Sequence, residues 1–289
     1  MLGRLLLPQI LTAINFDLKN TVFSYIPNTA ETAFLGLLDA LDGYLIGKRK
    51  DVFIENKPYL DSREELLSFR PRVEKIVLKD AKLRTFITDV VHRDDLVSHV
   101  YDTTYEVIRK GKDSIVILDD SIVRGTTLEK SILTLIDKIG PKKIVVVSSA
   151  PQIRYPDCYG IDMSRMNEFI AFRALMALLK DNDMEFKLDE VYDKARQNEG
   201  HEDQPNFVKE LYNLFTEDEI SRKISEIVTP KNINAEVEIV YQTVDNLHRA
   251  CPNHIGDWYF TGNYPTPGGN KVVNKSYMNF MEGLTVRAY

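Results

Sequence analysis

Residues 116–127 read VILDDSIVRGTT, so two acids, a serine, an arginine, a glycine and two threonines fall within one short string. Adjacent carboxylates accept hydrogen bonds from vicinal sugar hydroxyls or hold a hydrated divalent cation. Asp119 and Asp120 form such a pair. Hydroxyls and backbone N–H groups at a helix start gather phosphate oxygens. Ser121, Gly125, Thr126 and Thr127 supply those groups. Together the set suits a phosphorylated sugar with neighbouring hydroxyls. In the plainer alternative, Asp-Asp-Ser is a strand-ending turn and Thr126 or Thr127 caps a helix. The full string is harder to obtain by chance than a bare pair of acids, which favours the binding reading.

The flanking elements give that chemistry its position. Ser114–Leu118 is an apolar run of the kind found in a buried parallel strand, and Thr127–Ile139 carries Leu128, Ile132, Leu135, Ile136 and Ile139 on one helical stripe. The acids therefore stand at a strand's carboxyl end, the edge where open α/β sheets bind ligands. A second strand-loop-helix unit precedes it, with a strand at Thr21–Ile26, a turn at 27–32 and a helix at Ala33–Leu41. A third strand follows at Lys143–Ser148, then a proline-containing loop and a helix at Met163–Lys180. Strands alternating with helices predict an α/β fold with a doubly wound parallel sheet. Thr216 and Glu219 form a capping box ahead of Ile220 and Ile224. The turn-rich, aromatic tail from Cys251 to Tyr289 is expected to wrap back on the core.

Composition removes several classes. With 289 residues, 44% of them hydrophobic, the chain can fill one or two cores. A net charge of −6 argues against sequence-independent nucleic-acid binding, which shows as a basic surface. Cys158 and Cys251 are far apart, without the spacing of a disulfide framework or zinc site. No apolar run reaches the ~18 residues of a membrane span. MLGRLLLPQILTAI at the start lacks a small-residue cleavage site and reads as an amphipathic helix. A cytoplasmic protein with no nucleic-acid or membrane partner is expected.

The string at 116–127 resembles the phosphoribosylpyrophosphate (PRPP) signature of type I phosphoribosyltransferases. SSAPQIRYPDCYGIDM at 148–163 and WYFTGNYPTPGG at 258–269 are similar to segments of the glutamine PRPP amidotransferase family. The resemblance runs from about residue 21 to the C-terminus, apart from an insertion at about 46–78, where Ser62–Phe69 reads as a surface helix and Lys48, Arg49 and Lys50 as a solvated basic run. It implies a phosphoribosyltransferase domain over 1–180 and a helical, loop-rich extension over 181–289. The implied reaction forms 5-phosphoribosylamine and pyrophosphate from PRPP and ammonia, the nitrogen coming from glutamine in the complete enzyme.

The resemblance also assigns roles. Asp119 and Asp120 would serve substrate and Mg2+, and Ser121, Arg124, Gly125, Thr126 and Thr127 the phosphate. Pro27, Asn28, Thr29 and Ala30 would grip pyrophosphate, with Thr29 near the metal, and Lys79 and Arg84 would be pyrophosphate-side cations. Purine nucleotide effectors and a homo-oligomer are expected from the family. Some features depart from it. The lid region 88–110 is acidic where the family's is basic. The glutaminase half is missing, and a C-terminal fragment of a longer protein is the favoured explanation. Two cysteines cannot hold a [4Fe–4S] cluster, so none is expected. Two rival functions are a base-salvage phosphoribosyltransferase and a nucleotide-binding regulatory module that has lost catalysis.

Overall fold

A computed structural model describes residues 1–54, 60–79, 101–103, 107–157, 163–254 and 256–288. The chain divides into two compact units, each discontinuous in sequence. The first comprises 1–120, 130–149 and 231–242, and the second 121–129, 150–230 and 243–289.

The first unit is built on a five-stranded sheet. Its strands are β1 (Thr21–Tyr25), β2 (Arg72–Val73), β5 (Ser114–Asp119), β6 (Lys143–Ser148) and β7 (Glu236–Tyr241), in the order β2-β1-β5-β6-β7 with every pair parallel. The sheet grows outward from β1 to β2, then crosses over to β5 and continues the other way. That reversal between β1 and β5 is a topological switch point, where the loops at the strands' carboxyl ends diverge and leave a crevice. A separate antiparallel pair joins β3 (Val77–Lys79) to β4 (Tyr101–Thr103).

Helices α1 (Leu2–Ala13) and α2 (Glu31–Ile54) cover one face. Leu6, Leu7, Ile10 and Leu11 from α1 and Phe34, Leu37, Leu41 and Leu45 from α2 pack on Phe23, Val116, Leu118, Val145, Val147 and Val240. The three- and four-residue spacings put these side chains on one helical stripe. Each such burial contributes about 1.5–3 kcal/mol. The helices cross closely at Gly3, where an added Cβ would overlap the Ala33 carbonyl.

Helix α2 runs well past the expected end at Leu41, because IGKRKDVFI holds no proline and a single glycine costs only about 1 kcal/mol in a helix. The expected insertion thus begins as a continuation of α2. Its second helix, α3 (Leu60–Ser68), lies close to the expected Ser62–Phe69. Arg49 donates to the Leu66 and Phe69 carbonyls at 3.3 and 2.9 Å, so this member of the basic run caps α3. A short helix, α4 (Leu133–Lys138), completes the unit.

The second unit is helical. Its longer members are α5 (Ile170–Asp181), α6 (Phe186–Gln197), α8 (Glu217–Val228) and α11 (Pro267–Met281), with short helices α7 (Val208–Tyr212), α9 (Val244–Ala250) and α10 (Trp258–Thr261) between them. The Thr216–Glu219 capping box is present in full. Phe172 meets Tyr277 and Phe280 edge-on, and the Tyr277 hydroxyl donates to the Leu188 carbonyl at 2.9 Å. The expected helix at Met163 starts later, at Ile170. Met163 has φ +59 and a 3-10 turn occupies Met166–Glu168, so the apolar periodicity begins before the backbone turns helical.

Candidate active site

The acids expected at a strand end stand there. β5 ends at Asp119, and both Asp119 and Asp120 are half-buried. The Asp120 N–H donates to Asp119 Oδ1 at 2.8 Å. From the end of β6, the Ser149 N–H donates to the Asp119 carbonyl at 2.9 Å and its hydroxyl to the Asp120 carbonyl at 3.1 Å. The backbone of the acidic pair is thereby held while the carboxylates keep access to solvent.

One strand away, the Ile26 N–H donates to the Leu118 carbonyl at 2.8 Å, which sets Pro27–Ala30 alongside the acids at the switch point. Pro27 and Ala30 are buried and Asn28 and Thr29 exposed, and the Pro27–Asn28 peptide is cis. Glu31 and Phe34 N–H groups donate to the Asn28 and Ala30 carbonyls, closing this loop onto the start of α2.

Tyr241 ends β7 in the register row of Ser148 and Asp119. Its buried hydroxyl has no hydrogen-bond partner among the described residues. Burial, followed by the negative charge of Asp119, pushes the phenol far above its ordinary pKa. It is therefore a neutral donor, and sequence reasoning had not singled it out.

The turn after the acids belongs to the second unit. Gly125 has φ +73, in the left-handed region that favours glycine, and an added Cβ would lie 2.9 Å from Val228 Cγ1 and 3.3 Å from Ile170 Cγ1. A helical run begins at Thr126 and is π-wound over Leu128–Ile132. Its first amides have no intrahelical acceptor, and Ser121, Thr126 and Thr127 around them are half-exposed. The Glu129 N–H donates to the Gly125 carbonyl at 3.0 Å, and the Ile170 N–H to the Val123 carbonyl at 2.8 Å. Arg124, expected at the substrate, has its guanidinium on Glu168, with Nε and Nη2 at 3.1 and 2.6 Å from Oε2.

Lys79 ends β3, paired with Tyr101 of the antiparallel β4. Arg84, Cys158 and the lid from 88 to 100 lie outside the described residues. The two other segments that carried the resemblance meet in the second unit. Arg154 and Tyr155 N–H groups donate to the Tyr259 carbonyl at 2.8 and 3.1 Å, the Tyr259 hydroxyl donates to Asp157 Oδ1 at 3.3 Å, and the Tyr264 hydroxyl donates to the Pro156 carbonyl.

No protein-family model matches the chain. Individual proteins do. Amidophosphoribosyltransferase of Pasteurella multocida is 52% identical over 59 residues, 20% of this chain and 12% of that protein. The Escherichia coli enzyme is 48% identical over 58 residues, 20% and 11% of the two chains. That of Methanocaldococcus jannaschii is 36% identical over 88 residues, 30% and 18%. The match thus spans under a fifth of each of these relatives. A solved structure of glutamine PRPP amidotransferase from B. subtilis, complexed with ADP and GMP, has a TM-score of 0.47 and 22% identity over 92% of this chain and 41% of that one, a likeness too slight to add to the argument. Over these short stretches the chain is similar in sequence to amidophosphoribosyltransferases.

Proposed function

We propose that this chain carries the synthase step of an amidophosphoribosyltransferase. It forms 5-phosphoribosylamine and pyrophosphate from PRPP and ammonia, the first step of de novo purine biosynthesis, with glutamine supplying the nitrogen in the complete enzyme. The observation that carries this reading is the acidic pair Asp119–Asp120 beside the Pro27–Ala30 loop at the switch point of a parallel sheet. Identity of 52% with an amidophosphoribosyltransferase over 59 residues supports it.

In this reading the ribose hydroxyls meet Asp119 and Asp120, the 5′-phosphate meets the amides and hydroxyls of Ser121, Gly125, Thr126 and Thr127, and pyrophosphate meets Pro27–Ala30. Ammonia forms a C–N bond at the anomeric carbon as the C–O bond to pyrophosphate breaks, and the new ammonium then loses a proton. Positive charge develops on the ribose in such a displacement, so the carboxylates stabilise the ring while Lys79 and Arg84 are proposed to receive the leaving group. Two adjacent half-exposed carboxylates near an exposed threonine hydroxyl are hard oxygen donors. They fit Mg2+, which takes one or two carboxylates and keeps water and substrate phosphates for its other positions. When bound, Mg2+ neutralises charge on the departing pyrophosphate.

A phosphoribosyltransferase portion over 1–180 that takes its last strand, β7, from a C-terminal extension over 181–289, a cytoplasmic setting, purine nucleotide effectors and a homo-oligomer complete the proposal. Among the described residues no helix is long and apolar enough to cross a membrane. Replacing Asp119 and Asp120 together by Asn should lower ammonia-dependent pyrophosphate release from PRPP on the order of 10³-fold or more. Turnover that survives the double replacement refutes the assignment. Release that depends on a free purine or pyrimidine and not on ammonia would reassign the chain to base salvage.

A further inference from the structure

We propose that Glu168 is a positioning residue for the phosphate turn. By engaging Arg124, it fixes the turn so that backbone amides and hydroxyls, rather than the guanidinium, receive the 5′-phosphate. This rests on the phosphoribosyl reading above.

Three consecutive residues of the turn are held by three different kinds of contact. The Val123 carbonyl accepts the Ile170 N–H at 2.8 Å. Arg124 directs two donors to Glu168 Oε2, at 3.1 and 2.6 Å. Gly125 packs so close to Val228 and Ile170 that an added Cβ would force the Val228 side chain to shift. All three come from the 168–170 corner at the start of α5 or from the end of α8, so the turn is held by one corner of its own unit.

The middle contact bears most directly on the phosphate. A guanidinium in a phosphate loop would ordinarily form the paired, charge-assisted contact to the anion. Here that fork is on a carboxylate, with both partners about three-quarters buried at 28% and 26% side-chain exposure. Arg165 lies 3.6 Å from the other Glu168 oxygen, so the carboxylate is shared between two cations. Glu168 cancels one of those two charges, and its hold on the Arg124 fork leaves the first amides of the helical run beginning at Thr126 to meet the phosphate, in a direction that depends on the turn staying where the pair holds it.

The alternative, in which Arg124 grips phosphate directly, gives the opposite sign. Kinetics with PRPP and ammonia, together with calorimetric titration of ribose 5-phosphate, should separate the two on the Glu168→Gln variant and on the charge-swapped pair Arg124→Glu with Glu168→Arg, the latter made with Arg165→Gln so that the moved guanidinium does not face a second one. If Glu168 positions the turn, Glu168→Gln raises KM for PRPP and weakens ribose 5-phosphate binding by about tenfold. The kcat should change less than about twofold, because an orientation loss acts on phosphate binding. The swapped pair, which restores the contact, should return both affinities to within about threefold of the original.

A KM that falls or stays unchanged in Glu168→Gln overturns the proposal, as does a swapped pair no better than the single variant. Parallel losses of kcat and affinity, with a lowered melting temperature, assign Glu168 a merely structural role and overturn it too. If the unaltered chain binds ribose 5-phosphate without turning over PRPP, the synthase reading fails and the binding comparison alone decides on Glu168. If it binds no ribose 5-phosphate, both proposals fall.

Discussion

The strand Ser114–Asp119 has acids at both ends, and they do opposite things. At the amino end Asp113 is fully buried. It accepts Arg72 Nη1 at 2.6 Å, the Arg109 N–H at 2.8 Å and Arg109 Nη2 at 2.6 Å, while Arg72 and Arg109 also reach the Val107 and Lys19 carbonyls. At the carboxyl end Asp119 and Asp120 are half-buried, and it is their backbone carbonyls that Ser149 holds. Residue type is the same at both ends. Partner set and exposure decide that one acid binds the scaffold together and the other two face outward from the crevice.

This contrast can be attacked directly. The largest expected effect is at the carboxyl end, where the Asp119→Asn, Asp120→Asn double variant should lose PRPP turnover yet melt within ~0.5 kcal/mol of the parent. A large loss of stability would erase the distinction between the ends. At the amino end Asp113→Ala should cost about 2 kcal/mol in denaturant unfolding, since the Arg109 N–H and two partly exposed guanidiniums lose a fully buried acceptor. The folded fraction should keep the parent's KM for PRPP.

A comparable loss, about 2 kcal/mol, is expected from Gly125→Ala, where a left-handed backbone and a tight neighbour act together. Unlike Asp113→Ala it should also weaken ribose 5-phosphate binding. The smallest effect is one of pH. Burial pushes the Asp113 carboxyl up, but the hydrogen bonds from Arg109 and Arg72 outweigh it and hold the group below its ordinary value. Its contribution is therefore intact above the unfolded carboxylate's pKa of about 4 and is lost as pH falls through the lower folded value. Urea midpoints should decline on acidification below about pH 4, and the Asp113→Asn variant should show a shallower decline.

The acidic pair and its strand were legible because both are local: an apolar run ends at β5 and polar residues follow at once. The same holds for β1, β6 and the Thr216 capping box. Asp113 gave a faint signal, an Arg four residues before an Asp, but Arg109 read as part of an acidic lid. Glu168 was invisible as a site residue since its partner is 44 positions away and nothing local marks a carboxylate destined for that contact. Tyr241 was missed with its strand, because Glu236 and Glu238 interrupt the continuous apolar run that marks a central parallel strand. They meet the Lys143 ammonium at 2.9 and 2.6 Å across β6 and β7.

The late arrival of β7 matters for how this protein can be cut. β6 is the run KIVVVS, and its outer edge is paired with β7, which enters the sheet from residues 236–241. A polypeptide stopped at Lys180 would keep the acidic pair and the phosphate turn, yet expose a row of unpaired backbone donors and acceptors flanked by valines. Such an edge recruits other chains. Expression of residues 1–180 should yield aggregates, whereas residues 1–242 restore the missing strand.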